Sequence, residues 1–260
     1  MIVATASSCL KSAKLLFRVL EITELNTSLG YVHIIEVIEP GTLVVAGPTT
    51  NHDLNVLVAK MGTYAEKIFV DGAFNRITFA NIKNMDGIVL TTGASVHPDM
   101  MKTIEKTKRV VESFSLKQTP IFKKLPDFKM MIQTPNTTLQ FTNKKSETLK
   151  TALMGLNESV STIYIQGAIT PRHIQVFIEC ATQRFTLISD DPTKYLISEH
   201  YFSYLEKLET RLQIIFPCPL LFITINPFCP KGHHYEPIIF LSEMKKAIKI
   251  PIYNVKEMEW

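Results

Sequence analysis

The chain has 260 residues, 46% hydrophobic and 20% charged, with a mean hydropathy of +0.11, a balance that builds a core and excludes a disordered tail, a fibre or a linker. Twenty-eight basic against 24 acidic residues leave a net charge of +4, too small to argue for nucleic acid, and the longest apolar run, residues 214–223, is interrupted by Pro217 and Pro219 and falls well short of the ~20 residues of a bilayer-spanning helix. Cys9, Cys180, Cys218 and Cys229 form no CxxC pair, which suits a reducing cytoplasm better than a disulfide framework.

The chain opens on Met1-Ile2-Val3-Ala4-Thr5-Ala6, a strand with no basic leader before it, which points away from a secretory signal. Residues 16–23 and 31–39 are rich in β-branched and apolar side chains, and Pro40-Gly41 reads as a turn into a third strand over 42–46, giving a short meander. Leu54, Leu57, Val58 and Met61 then recur at helical spacing. Lys67-Ile68-Phe69-Val70-Asp71-Gly72-Ala73 and Gly87-Ile88-Val89-Leu90-Thr91-Thr92-Gly93 lack alternation, as strands buried on both faces do. His97-Pro98-Asp99 leads into a helix to about Ser113, with Pro98 and Asp99 suited to its first turn.

Residues 117–145, with Pro120, Pro126 and Pro135, read as a lobe boundary or an insertion carrying strands at Met130-Met131-Ile132 and Leu139-Gln140-Phe141. Strand and helix then alternate: a strand over 161–167, a helix from Pro171 to about Phe185, a strand over 186–189, a helix over 198–211, a strand over 220–226, a helix over 237–248 and a last strand over 250–255. This rhythm predicts an α/β fold, a mostly parallel sheet with helices on both faces and a β-rich meander near the N-terminus. The expected division is an N-terminal lobe over 1–116, the irregular stretch 117–145 and a C-terminal lobe over 146–260.

In open α/β sheets ligands gather at the carboxyl ends of the strands. Asp71 ends an apolar run, with Asn75 and Arg76 in the next turn. An acid there can hold magnesium through water while an arginine meets phosphate oxygens, or it can simply cap the turn. Thr91-Thr92-Gly93-Ala94-Ser95 is a hydroxyl-rich loop whose amides could meet an anion, although such loops are also built for structural reasons. Residues 226–235, from Asn226-Pro227-Phe228-Cys229 to Lys231-Gly232-His233-His234-Tyr235, combine polar, aromatic and basic groups. Cys218, Cys229, His233 and His234 lack the close pair of a structural zinc site, and Cys9 has no identifiable base for a nucleophile's role. No GxxxxGK[ST], GxGxxG, HExxH or GxSxG run occurs.

Seven stretches taken together resemble one family, the reactivase subunit of adenosylcobalamin-dependent lysine 5,6-aminomutase and its ornithine aminomutase-associated relatives. They are Ile2-Val3-Ala4-Thr5-Ala6-Ser7-Ser8-Cys9-Leu10, Val45-Ala46-Gly47-Pro48, Val70-Asp71-Gly72-Ala73-Phe74-Asn75-Arg76, Leu90-Thr91-Thr92-Gly93-Ala94, Gln166-Gly167-Ala168-Ile169-Thr170, Asp191-Pro192-Thr193-Lys194 and Ile225-Asn226-Pro227-Phe228. The resemblance implies a P-loop-like fold, ATP and magnesium as cofactors of the complete family member, and a second reactivase subunit and a cobalamin-dependent aminomutase as partners. It implies an ATP-driven exchange of damaged cobalamin for intact cofactor in the cytoplasm.

The family's strand, phosphate loop and helix would precede Met1, so ATPase activity is expected only with such a segment. The start at Met1 is read as a fragment, a mis-assigned start or a member that has lost ATP binding. Asp71 carries over as the acid near magnesium. Arg76, Thr91, Thr92, Gly93 and Asn226 complete the expected cofactor-binding set. The alternatives are a small-molecule α/β enzyme, such as an ATP-dependent ligase of the dethiobiotin synthetase type using Asp71 and the loop at 91–95, and a non-catalytic scaffold.

Overall fold

A computed structural model describes residues 1–71 and 85–256, in two compact units, Met1–Asn84 and Met85–Trp260. In the smaller unit, β1 (Ile2–Ala6), β2 (Lys14–Thr27) and β3 (Gly30–Thr42) form an antiparallel sheet in the order β1-β3-β2. The β2–β3 hairpin turns at Gly30, whose φ of +95° favours glycine. Thr27 Oγ1 closes the turn by donating to Gly30 O at 2.8 Å. Val32 and Ile34 on β3 are buried against Leu57 and Met61 of helix α2 (Asn51–Met61), with Ile2, Ala4, Leu20 and Leu25 around them. The Thr50 side chain caps α2 by accepting from Asp53 N at 3.1 Å. A short helix α1 (Ser7–Lys11) follows β1. The β2–β3 ladder shifts register at four places, between Lys14/Leu16, Leu16/Phe17, Val19/Glu21 and Ile22/Asn26.

Two expectations for this unit need correction. Pro40-Gly41 does not turn the chain: β3 runs through it to Thr42, because a glycine at 41 lets the backbone close on β2, where a Cβ would fall 1.9 Å from Lys14 O. Residues 43–46 form no strand, although Ala46 lies along the end of β1, with Ala6 N donating to Ala46 O at 2.9 Å. Residues 67–71 are likewise not a strand. Phe69 is 89% exposed, so the apolar run there is not a buried sheet element, and its continuation through Gly72-Ala73 lies outside the described residues.

The larger unit holds two sheets. In one, β5 (Lys117–Gln118), β10 (Arg211–Ile214), β9 (Thr186–Ser189) and β8 (Thr162–Ile165) run parallel. Then β6 (Met130–Gln133) and β7 (Thr138–Phe141) pair antiparallel beyond β8. The stretch 117–145 thus supplies β5, β6 and β7. Alternation sorts the side chains: Met130, Ile132, Ile163, Ile165, Leu187 and Ile214 face one core, while Met131, Tyr164, Ile188 and Ile215 face another. The first is covered by α4 (Ser146–Met154), α5 (Pro171–Glu179) and α6 (Glu199–Lys207). The second is packed by the loop phenylalanines 122, 128 and 216.

The other sheet is parallel, in the order β12 (Ile252–Asn254), β11 (Leu220–Asn226), β4 (Ile88–Gly93). Ile223, Ile225 and Ile252 are buried against α3 (Met100–Phe114) and α7 (Pro237–Ala247) through Ile104, Phe240 and Met244.

Two helices end sooner than periodicity suggests. α5 stops at Glu179 because Ala181 takes φ 47°, and α6 stops at Lys207 ahead of Glu209 at φ 53°. That frees residues 211–214 to become β10. Among the described residues no helix is long and apolar enough to cross a membrane. Phe177, fully buried, meets Phe185 edge-on at 4.9 Å. Phe177→Ala should lower unfolding free energy by about 3–5 kcal/mol, measured by urea denaturation of the whole chain.

Candidate functional site

The parallel register of β4 and β11 sets Thr92 beside Ile225 and Gly93 beside Asn226, so Thr91, Thr92, Gly93 and Asn226, far apart in sequence, meet at the carboxyl ends of two strands. The approach is close enough to demand glycine, since a Cβ at Gly93 would sit 2.0 Å from Asn226 O. Ala94 N donates to that same oxygen at 3.0 Å. Thr91 Oγ1 pairs with Thr224 Oγ1 at 2.9 Å on the exposed side, and the buried Thr92 hydroxyl pairs with Thr107 of α3 at 2.9 Å. The Ala94 amide of the loop expected to meet an anion is therefore spent internally, and just beyond that loop Val96 N donates to Gly93 O.

The loop between β11 and α7 folds back over this end. Asn226 Oδ1 accepts from Phe228 N at 3.0 Å, an Asx turn, and Asn226 Nδ2 makes no hydrogen bond among the described residues. His233 Nε2 lies 2.7 Å from Ala94 O; a carbonyl only accepts, so Nε2 carries the proton. The Tyr235 hydroxyl meets Thr103 Oγ1 at 2.8 Å and donates to His97 O, pinning the loop to the start of α3. On β12 Asn254 is buried, its Oδ1 accepting from Lys256 N at 3.2 Å, while its Nδ2 has no partner among the described residues. An orphaned buried donor costs about 1–3 kcal/mol.

Sequence reasoning passed over a second cluster, at the carboxyl ends of β8 and β9. Asp190 and Asp191 are both buried. Asp190 accepts the Tyr164 hydroxyl at 2.8 Å and Gly167 N at 2.7 Å, and burial holds its carboxyl above the usual range. Asp191 accepts Thr193 N at 2.9 Å and Thr193 Oγ1 at 2.5 Å, and pairs with Lys194 at 3.3 Å. The signal was the one used for Asp71, an apolar run ending in acids. Next to them the buried His173 closes the α5 capping box: its Nδ1 accepts Thr170 N at 3.0 Å and its Nε2 faces Lys144 O at 3.0 Å.

Asp71 itself is exposed and outside any strand, and Asn75 and Arg76 lie outside the described residues. Among the described residues no group of three or more His, Cys, Asp or Glu is placed to hold a metal ion, so no step is derived through magnesium. Cys9 is buried, as is Cys218, whose thiol burial and the nearby Asp191 push up. Comparison with protein-family models, curated proteins and solved structures gives no match.

Gly93→Ala should force β4 and β11 apart, seen as loss of hydrogen-exchange protection at the Ala94 amide. Burial holds His173 below the ordinary histidine range, so the folded state favours its neutral ring. That stability is present above the unfolded value, near 6.5, and is lost as pH falls through it toward the folded one. Denaturation midpoints should drop over that window and drop less in His173→Gln.

Proposed function

We propose that this chain is a subunit of an ATP-dependent reactivating chaperone that helps replace damaged cobalamin on a lysine- or ornithine-type aminomutase. One observation carries the reading: six of the seven stretches that bear the family resemblance meet in three hydrogen-bonded pairs. Thr5-Ala6 meets Ala46 through Ala6 N to Ala46 O at 2.9 Å and Ala46 N to Thr5 Oγ1 at 3.0 Å. Gly93-Ala94 meets Asn226 as described above. Ile169 meets Lys194 through Ile169 N to Lys194 O at 2.7 Å. A shared task requires such segments to meet in the fold, and within each pair they do.

In this reading the fold is P-loop-like and cytoplasmic, its parallel strands presenting their carboxyl ends to a nucleotide-dependent partner. ATP and magnesium belong to the complete reactivase, with Asp71 and Arg76 in one unit and Thr91, Thr92, Gly93 and Asn226 in the other as the residues it would use toward its cofactors. Nucleotide state would act by favouring one of two contacts with the mutase. A second reading, a small-molecule ligase of the dethiobiotin synthetase type, draws on the unspent amide donors of Asn226 and Asn254.

The deciding experiment mixes the immobilised chain with purified aminomutase inactivated by hydroxocobalamin, with and without the second subunit and Mg-ATP. Co-elution with the mutase or the subunit is expected, with cobalamin released in the complete mixture. Failure to bind either protein overturns the proposal. Calorimetric binding of a small acid or amine with no protein partner present would favour the ligase reading instead.

A further inference from the structure

We infer that the larger unit carries an oxyanion site for a phosphate group, made by Lys129 and Lys144 where they converge on Gln166 at the carboxyl end of β8. Lys129 Nζ donates to Gln166 Oε1 at 2.5 Å, and Lys144 Nζ donates to Gln166 O at 2.8 Å. Neither ammonium has a carboxylate oxygen within 4.0 Å among the described residues. The two cations meet one neutral residue, one at its side chain and the other at its carbonyl, and an anion held there would use their remaining N–H donors. The turn is shaped for Lys144: Gly167 takes φ +70°, and a Cβ there would fall 2.8 Å from Lys144 Nζ.

The site is rooted in the core, which separates it from a pair of loose surface lysines. Gly167, the residue after Gln166, donates its N to Asp190 at 2.7 Å, and the same carboxylate accepts the hydroxyl of the fully buried Tyr164 at 2.8 Å. The backbone next to the glutamine that receives Lys129 is thereby tied to a buried carboxylate. On the other side Lys144 O faces His173 Nε2 at 3.0 Å, fixing the backbone from which the second ammonium projects. Order of this kind lowers the entropy that an exposed lysine loses on binding. Gln166 and Gly167 lie in one of the stretches that bear the family resemblance, but the site uses none of the cofactor-side residues of the reactivase and does not depend on that reading.

The full chain, labelled with ¹³C at lysine, is titrated with inorganic phosphate at fixed ionic strength while the lysine Cε resonances are followed. Saturable shifts of two resonances are expected. They should weaken on the order of tenfold in Lys129→Gln and in Gln166→Glu, whose carboxylate would pair with the Lys129 ammonium and compete with an added anion, and stay unchanged in Lys102→Gln on α3. Glycerol 3-phosphate binding more tightly than phosphate assigns the site to a phosphorylated small molecule, and equal binding assigns it to the free ion. Shifts reproduced by chloride alone, or unaltered in the exposed Lys129→Gln variant, overturn the inference whether or not Gln166→Glu folds.

Discussion

The strand ends of the six-stranded sheet depend on one buried carboxylate. Asp190 takes hydrogen bonds from the side chain of one strand and the turn that follows it, while its own carbonyl accepts Ile215 N and Phe216 N at 3.1 and 2.8 Å. Four donors from three neighbouring segments meet one residue, so the ends of β8, β9 and β10 cannot shift independently. Burial makes the charge expensive, and the chain offsets the cost with directed donors rather than a salt bridge of its own. Removing either donor would leave a buried acceptor short and loosen the turn at Gly167.

A different device holds the end of the three-stranded sheet. There the constraint is steric: β4 and β11 come so close at Gly93 and Asn226 that only a residue without Cβ fits. The two ends therefore have different tolerances. The first is electrostatic and answers to pH; the second is a matter of space and answers to side-chain size.

The α/β rhythm was legible in the sequence wherever an element was long or bounded by proline and glycine. β4, β11, α2 and α7 fall within a few residues of where periodicity puts them. β10 was hidden because Arg211-Leu212-Gln213-Ile214 is short, half polar and continuous with a helical pattern, so only the left-handed residue at Glu209 separates the two. The run at 67–71 misled for the opposite reason: local apolarity says nothing about whether a neighbouring strand is there to bury it. Of the site residues, Thr91, Thr92, Gly93 and Asn226 were readable from the strand-end rule, but their meeting depends on a parallel register set across more than a hundred residues. Asn254, whose orphaned donor only the fold exposes, gave no sequence signal. The Asp190 network was spelled out in Asp190-Asp191 yet needed Tyr164 and Gly167 beside it to acquire meaning.

The irregular hairpin of the smaller unit has its own consequence. β2 pairs only with β3 among the described residues, leaving a 14-residue edge with Leu16, Val19 and Ile22 exposed. A flat edge of that length would template growth by strand addition from one molecule to the next. The four breaks in register bend the ladder, and Lys14, Arg18 and Glu24 stand along it, so no incoming strand finds an unbroken row of partners. The irregularity that weakens the hairpin as a ladder is what keeps it from becoming the seed of a fibril.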